Sequence, residues 1–335
     1  MGFLEKSDRV FVAGSGGMVG SAICNSLEAN GYNSNNGLLI KSSRKEIDFK
    51  DYNKLEEFFE LKRPNIVVIA AAKVGGILAN QNNPVDFLLE NLQIQNNLIE
   101  ISWKFGIKRL LFLGSSCIYP KYAAQPIKEK YLLGDKLESS NQWYAIAKIA
   151  GLKLCEAYRT QYKFDAISLM PTNLYGPKDN YHYNDSHVMA ALIRKFYEAK
   201  LNKESVVKCW GSGKPSREFL HVSDFAEACL IVLKKWSPDK NNAPLDDNGE
   251  IINYLNVGSG YEISIKELSE TISEIIGFKG HILWDKTKPD GTPRKRLDNE
   301  YIKKLGWYPK INLKMGIKQT LKDFEKEYKN SILKI

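Results

Sequence analysis

The chain has 335 residues, 43% of them hydrophobic, enough to bury a sizeable core in one large domain or two smaller ones. Its formal net charge is +9, yet the lysines are dispersed rather than gathered into a basic stripe, which argues against a nucleic-acid partner and leaves a polyanionic small ligand compatible. Cys24, Cys117, Cys155, Cys209 and Cys229 are odd in number and show no metal-ligand spacing, so neither a disulfide framework nor a metal site is expected.

In chain order, Val10–Ala13 reads as a β-strand, followed by a glycine turn at 14–20 and a helical pattern through Ile23 and Leu27. Further β-rich runs lie at Leu38–Ile40, Ile66–Ala70, Leu110–Leu113 and Ala166–Leu169, with helical stretches near 51–61, 84–104 and 143–162 between them. This alternation predicts an α/β fold, a Rossmann-type doubly wound parallel sheet. After Pro171 the alternation loosens, with helical patterns near 187–200, 264–277 and 313–328. A smaller, interleaved C-terminal lobe is expected over 176–335, with 1–175 mainly dinucleotide-binding and segments near 205–235 returning to it. Ser237–Glu250, rich in Asp, Asn and Pro, reads as a surface insertion. No apolar run nears the roughly 20 residues of a membrane span, and the N-terminus lacks a secretory apolar region, so a cytoplasmic protein without a membrane partner is expected.

Gly14, Gly17 and Gly20 follow a strand and open a helix, which suits a pyrophosphate at a helix start; Met18 and Val19 belong to the same cofactor-binding turn. About 20 residues further on, where a carboxylate would select NAD, stand Ser42, Ser43, Arg44 and Lys45. Arg44 there suits a 2′-phosphate, so NADP(H) is the expected cofactor. Tyr144 and Lys148 are four apart, hence on one helical face, where an ammonium can lower a phenol's pKa from its reference of about 10. With Ser115 at the end of an apolar strand, this set points to ketone chemistry.

The glycine turn, Ser115 and the Tyr144/Lys148 pair, in this order, resemble the extended short-chain dehydrogenase/reductase family. The runs Ala70–Ile77, Gly114–Lys121, Tyr144–Gly151, Pro171–Pro177, Ser186–Val188, Trp210–Gly213, Arg217–Val222 and Pro289–Lys295 are similar to its GDP-L-fucose synthase members, over about residues 10 to 310. The resemblance implies a homodimer acting on a GDP-linked 4-keto-6-deoxymannose, epimerised at carbons 3 and 5 and reduced at carbon 4. It implies Tyr144 as proton donor, Ser115 as a hydrogen-bond donor to the carbon 4 oxygen, Lys148 on the nicotinamide ribose, and Cys117 and His187 as the epimerisation base and acid. It further implies Asn173 beside the cofactor or substrate, and Lys195, Trp210, Arg217 and Asp290 as holders of the GDP moiety.

Three positions depart from that pattern: Ser15-Gly16 where His-Arg is common, Lys195 in place of an arginine, and Gln142-Trp143 where Glu-Pro is usual. They open the alternative of a reductase of another GDP-4-keto sugar such as a heptose, with or without epimerisation; a more remote alternative is a non-catalytic NADP-binding interaction protein.

Overall fold

The structure, a computed structural model, describes residues 3–240 and 243–333. The first half alternates: β1 (Val10–Ala13), α1 (Met18–Ala29), β2 (Leu39–Lys41), α2 (Tyr52–Lys62), β3 (Ile66–Ile69), α3 (Ile77–Asn82), α4 (Pro84–Lys104), β4 (Arg109–Leu113), α5 (Gln142–Tyr162) and β5 (Ala166–Pro171). The second half contains β6 (Asn173–Tyr175), α6 (Val188–Leu201), β7 (Val206–Trp210), β8 (Ser216–His221), α7 (Val222–Lys235), β9 (Tyr254–Val257), β10 (Glu262–Ser264), α8 (Ile265–Ile276), β11 (His281–Asp285), β12 (Arg294–Lys295), α9 (Glu300–Lys304) and α10 (Leu313–Lys329).

Six strands form one parallel sheet in the order β2-β1-β3-β4-β5-β9. Alternate residues of a strand face opposite sides, and β1 shows the consequence. Val10 and Val12 pack with Ile23 and Leu27 of α1 and with Phe225 and Cys229 of α7. Phe11 and Ala13 join Phe59 of α2 and Leu98 and Ile101 of α4 on the other side. With both faces covered, β1 and β3 are unbroken apolar runs and β4 and β5 nearly so, which is why these strands are legible in the sequence. Chain order reverses between β1 and β3, so the loops after these two strands part and leave a crevice at the carboxyl edge of the sheet.

The C-terminal elements build a separate core around Ile193, Phe196, Ile272 and Phe324. There β7 pairs with β11, while β8 is bordered by β10, β12 and β6. Helix α8 starts with a reciprocal capping box between Ser264 and Glu267 and stops at Gly277, whose φ of 78° favours glycine. Of the segment expected near 205–235, α7 packs on the large sheet, whereas β7 pairs within the small one; β9, further along, is the sixth strand of the large sheet.

Arg109 ties α7 to the sheet. It is fully buried, donates to Asp165 Oδ2 at 2.6 Å, and bonds the carbonyl oxygens of Leu233 (3.2 Å) and Trp236 (2.9 Å) at the end of α7. A buried cation is tolerated because carboxylate and helix carbonyls both face it. The insertion at Ser237–Glu250 closes on itself through a bridge between Leu245 and Ile251; its Asn241 and Asn242 lie outside the described residues. No helix among the described residues is long and apolar enough to cross a membrane.

Candidate active site

The glycine turn at the end of β1 is shaped by lack of room. Gly14 has a φ of 89°, and a Cβ there would lie 2.7 Å from the Ala71 nitrogen; a Cβ at Gly20 would lie 2.1 Å from the Gly14 carbonyl oxygen. Gly17 is the N-cap of α1 and meets only the Gly14 oxygen at 3.5 Å, so its face is open to the crevice. Met18 and Val19 begin the helix. A helix start of this kind, with free amides and the positive end of the dipole, accommodates a pyrophosphate. Ser15 fastens the turn to the end of β2, donating to the Ser42 carbonyl at 3.0 Å and accepting from the Ser42 nitrogen at 3.2 Å. Beyond Ser42, Arg44 is exposed, and its side chain makes no ion pair among the described residues. The residues that would hold NADP(H) are therefore of the right kind: small at the diphosphate, cationic at the 2′-phosphate.

The reactive side chains come from the ends of β4 and α5. Ser115 follows β4 and caps a short turn at Ser116–Ile118, accepting from the Cys117 nitrogen at 3.3 Å, so the serine and the cysteine are placed by the same backbone. Helix α5 lies close against β4 because Gly151 leaves room: a Cβ there would be 2.6 Å from the Phe112 ring. Gln95 of α4 locks the packing by donating to the Ala147 carbonyl at 2.6 Å. Tyr144 and Lys148 thereby project toward Ser115 from one face of α5. Lys148 is buried, its Nζ 2.9 Å from the Leu113 carbonyl oxygen, 4.8 Å from the Phe112 ring centroid and 5.8 Å from that of Tyr144.

Electrostatics here correct one expectation. Burial pushes the Tyr144 phenol up, Cys117 adds to the rise, and only the Ser115 hydroxyl pulls it down. The lowering expected from Lys148 is not found, because the ammonium is itself desolvated, its pKa brought down to about 8, and it is bonded to a carbonyl. Tyr144 is thus a protonated phenol, the form a general acid requires.

Cys117 is partly exposed, unlike the four other cysteines, which are buried. Its Sγ accepts from Asn141 Nδ2 at 3.3 Å and from Lys295 Nζ at 3.8 Å. Lys295 stands on β12, paired in register with Arg217 of β8. The same lysine acts on His187, the N-cap of α6: desolvation and then the Lys295 charge push its pKa down. Gly76, after β3, donates to the Asp185 carbonyl at 2.8 Å and so draws the segment before His187 to the dinucleotide crevice. Asn173 on β6 donates to the Glu218 carbonyl at 2.7 Å. Behind the cysteine turn lies buried Glu129: it accepts from the Asn256 nitrogen at 2.9 Å, and Tyr119 donates to Asn256 Oδ1 at 2.6 Å.

Farther out, exposed Trp210 is flanked by two ammonium groups, Lys195 at 4.7 Å and Lys288 at 5.4 Å from its ring centroid. Arg217 donates to the Asp290 carbonyl at 3.3 Å. The Asp290 carboxylate is engaged within the protein, by the Ser212 nitrogen (2.7 Å) and hydroxyl (2.8 Å), so it ties two loops at the rim together. The structure thus gathers Ser115, Cys117, Tyr144, Lys148 and His187 around one cleft, with Lys195, Trp210 and Arg217 at its outer end. Sequence reasoning assigned no chemistry to Asn141, Lys288 or Lys295. Only Lys295 lay in a quoted motif; β12 pairs with β8, and Lys295 on it reaches Cys117, which lies 178 residues away in the chain.

Residues 10–245 match the NAD dependent epimerase/dehydratase family. The chain is 50% identical over 316 residues to GDP-L-fucose synthase 1 of Arabidopsis thaliana, covering 94% of this chain and 93% of that one. To the GDP-L-fucose synthase of Escherichia coli (strain K12) it is 46% identical over 316 residues, 94% and 96% of the two chains. Among solved structures it is similar to a GDP-mannoheptose C4 reductase from Campylobacter jejuni with NADP bound, at a TM-score of 0.84 and 33% identity, over 96% of this chain and 99% of that one. The chain belongs to the NAD dependent epimerase/dehydratase family, in which GDP-L-fucose synthases are its relatives.

Proposed function

We propose that the protein is an NADP-dependent enzyme that epimerises a GDP-linked 4-keto-6-deoxymannose at carbons 3 and 5 and reduces it at carbon 4. The observation that carries this reading is one cleft in which a phenol and a hydroxyl, Tyr144 and Ser115, adjoin a thiol and an imidazole that share the Lys295 charge, Cys117 and His187. Carbons 3 and 5 both neighbour the ketone, so removal of either proton leaves an enolate on the carbon 4 oxygen. Ser115 and Tyr144 hold that oxygen by hydrogen bonds. Cys117 takes the proton, and His187 returns one from the opposite face; its lowered pKa means an imidazolium formed there gives up its proton readily. In the reductive stage Tyr144 delivers its proton to the same oxygen, while Lys148 orients the ribose of the cofactor. When bound, the nicotinamide supplies the hydride to carbon 4.

Gly14, Gly17, Met18, Val19 and Gly20 would hold the pyrophosphate of NADP(H), Arg44 its 2′-phosphate, and Lys195, Trp210 and Arg217 the GDP moiety. The working division is a dinucleotide unit over 1–175, joined by α7 and β9, and a sugar-nucleotide lobe over the rest. A cytoplasmic homodimer agrees with the resemblance in the sequence, and sedimentation of the purified protein tests the dimer.

The test of the reaction is incubation with the 4-keto substrate in deuterated water without NADPH, followed by NADPH. Deuterium at carbons 3 and 5, then NADPH consumption, is the expected result; reduction without deuterium would leave a reductase alone. That second reading, a reductase of another GDP-4-keto sugar such as a heptose, is favoured by the likeness to the Campylobacter jejuni heptose reductase and by exposed Trp143 beside Tyr144.

A further inference from the structure

Asn141 immediately precedes α5 as its N-cap, a position where asparagine normally accepts a hydrogen bond from the second or third helical N–H. Here it caps nothing. Its amide instead turns back across the cleft, with Nδ2 3.3 Å from Cys117 Sγ. The turn that carries it, Ser139–Asn141, is held in place: Glu138 accepts from the Ser140 nitrogen at 3.1 Å, and its other carboxylate oxygen meets Lys121 Nζ at 2.7 Å. A residue type suited to one local role but placed in another marks a site where local preference has yielded to function.

We propose that Asn141 is a positioning residue for Cys117: its amide N–H fixes the sulfur and favours the thiolate, so that the thiol can serve as a base. The proposal rests on the epimerase reading for its purpose but not for its test. An N–H directed at sulfur stabilises the anion, as hydrogen bonds to a charged form do, whereas the amide turned the other way would stabilise the thiol. The other groups around Cys117 are the cations Lys295 from β12 and Arg217 from β8, and the neutral phenol of Tyr144 from α5. Glu138, paired with Lys121, lies in the same small cavity and opposes them. Asn141 differs from the two cations in adding direction without charge.

The pH dependence of iodoacetamide alkylation of Cys117, followed by mass spectrometry on the full chain, reads the thiolate directly; the four buried cysteines give a separate, slow background. In Asn141→Leu the midpoint should rise by about one pH unit. Asn141→Ser, which can cap α5 but is too short to reach the sulfur, should show the same rise with α5 intact, separating loss of the bond from loss of the helix. An unchanged or lowered midpoint in the serine variant overturns the proposal. Absence of deuterium exchange in the unmodified protein would instead remove the epimerase reading and leave the alkylation result standing.

Discussion

The Lys148 ammonium donates to the Leu113 carbonyl oxygen at 2.9 Å, over the Phe112 ring, and lies 5.8 Å from the centroid of the Tyr144 ring. Lysine and tyrosine are thus both anchored to the end of β4, and the Tyr144 phenol keeps its proton because burial raises its pKa. Tyr144→Phe removes that proton while keeping the ring. Reduction should fall roughly 100- to 10,000-fold, read as single-turnover NADPH oxidation, with cofactor binding retained. Unchanged reduction would end the acid role of Tyr144.

Cys117→Ser separates the two stages. Deuterium exchange into the 4-keto substrate without NADPH should drop at least about 100-fold, because a hydroxyl is a far weaker base than a thiolate. NADPH should still be consumed, giving a product with carbons 3 and 5 unaltered, which NMR of the sugar distinguishes. Equal loss of both activities would mean that the cysteine serves the whole site.

Arg44 is exposed at the end of β2 with no carboxylate in the place that would select NADH. Arg44→Ala should weaken NADPH binding by about 10-fold or more, as expected for a lost charge-assisted hydrogen bond, and leave NADH binding unaltered. Titration of cofactor fluorescence measures both. Parallel losses for the two cofactors would remove Arg44 from the 2′-phosphate.

Glu129 gives a pH signature of stability rather than activity. Burial raises its carboxyl from 4.5 to about 7, against the Asn256 N–H that pulls it down. With the folded value above the unfolded one, the folded state holds the extra proton between the two. The contribution is therefore complete below about pH 4.5 and is lost as pH rises through about 7, on the order of 3 kcal/mol in all. Urea unfolding at about pH 5.5 and about pH 8 should show this decline, and Glu129→Gln should flatten it. A wild-type curve already flat over that range would place no proton on Glu129.

The sheet was legible where burial on both faces leaves an apolar run between helices of clear period, unbroken at β1 and β3 and interrupted by a single polar residue at β4 and β5. Helix α7 was not: Phe225, Ala226, Ala228, Cys229, Leu230, Val232 and Leu233 are buried, and only a narrow stripe through Ser223, Glu227 and Lys234 is left to mark its period. Strands β6, β10 and β12 have three, three and two residues, too few for alternation to register. In the site, Tyr144 and Lys148 were readable because one helix carries both. Asn141 and Lys295 were not, since what makes them matter is proximity to a sulfur that belongs to a different turn.

Strand β8 has Arg217 near its start, borders β12 with Lys295 at that end, and borders β6 with Asn173 farther along. Its extended backbone behaves as a ruler about 3.3 Å per residue. For a ligand gripped by its diphosphate at Arg217, the pairing of β8 with β12 sets the distance from that grip to Lys295 and to the Cys117 sulfur it bonds. Selection among sugar nucleotides then becomes a matter of length: a sugar that is one bond too long or too short presents the wrong carbon to the same acid and base.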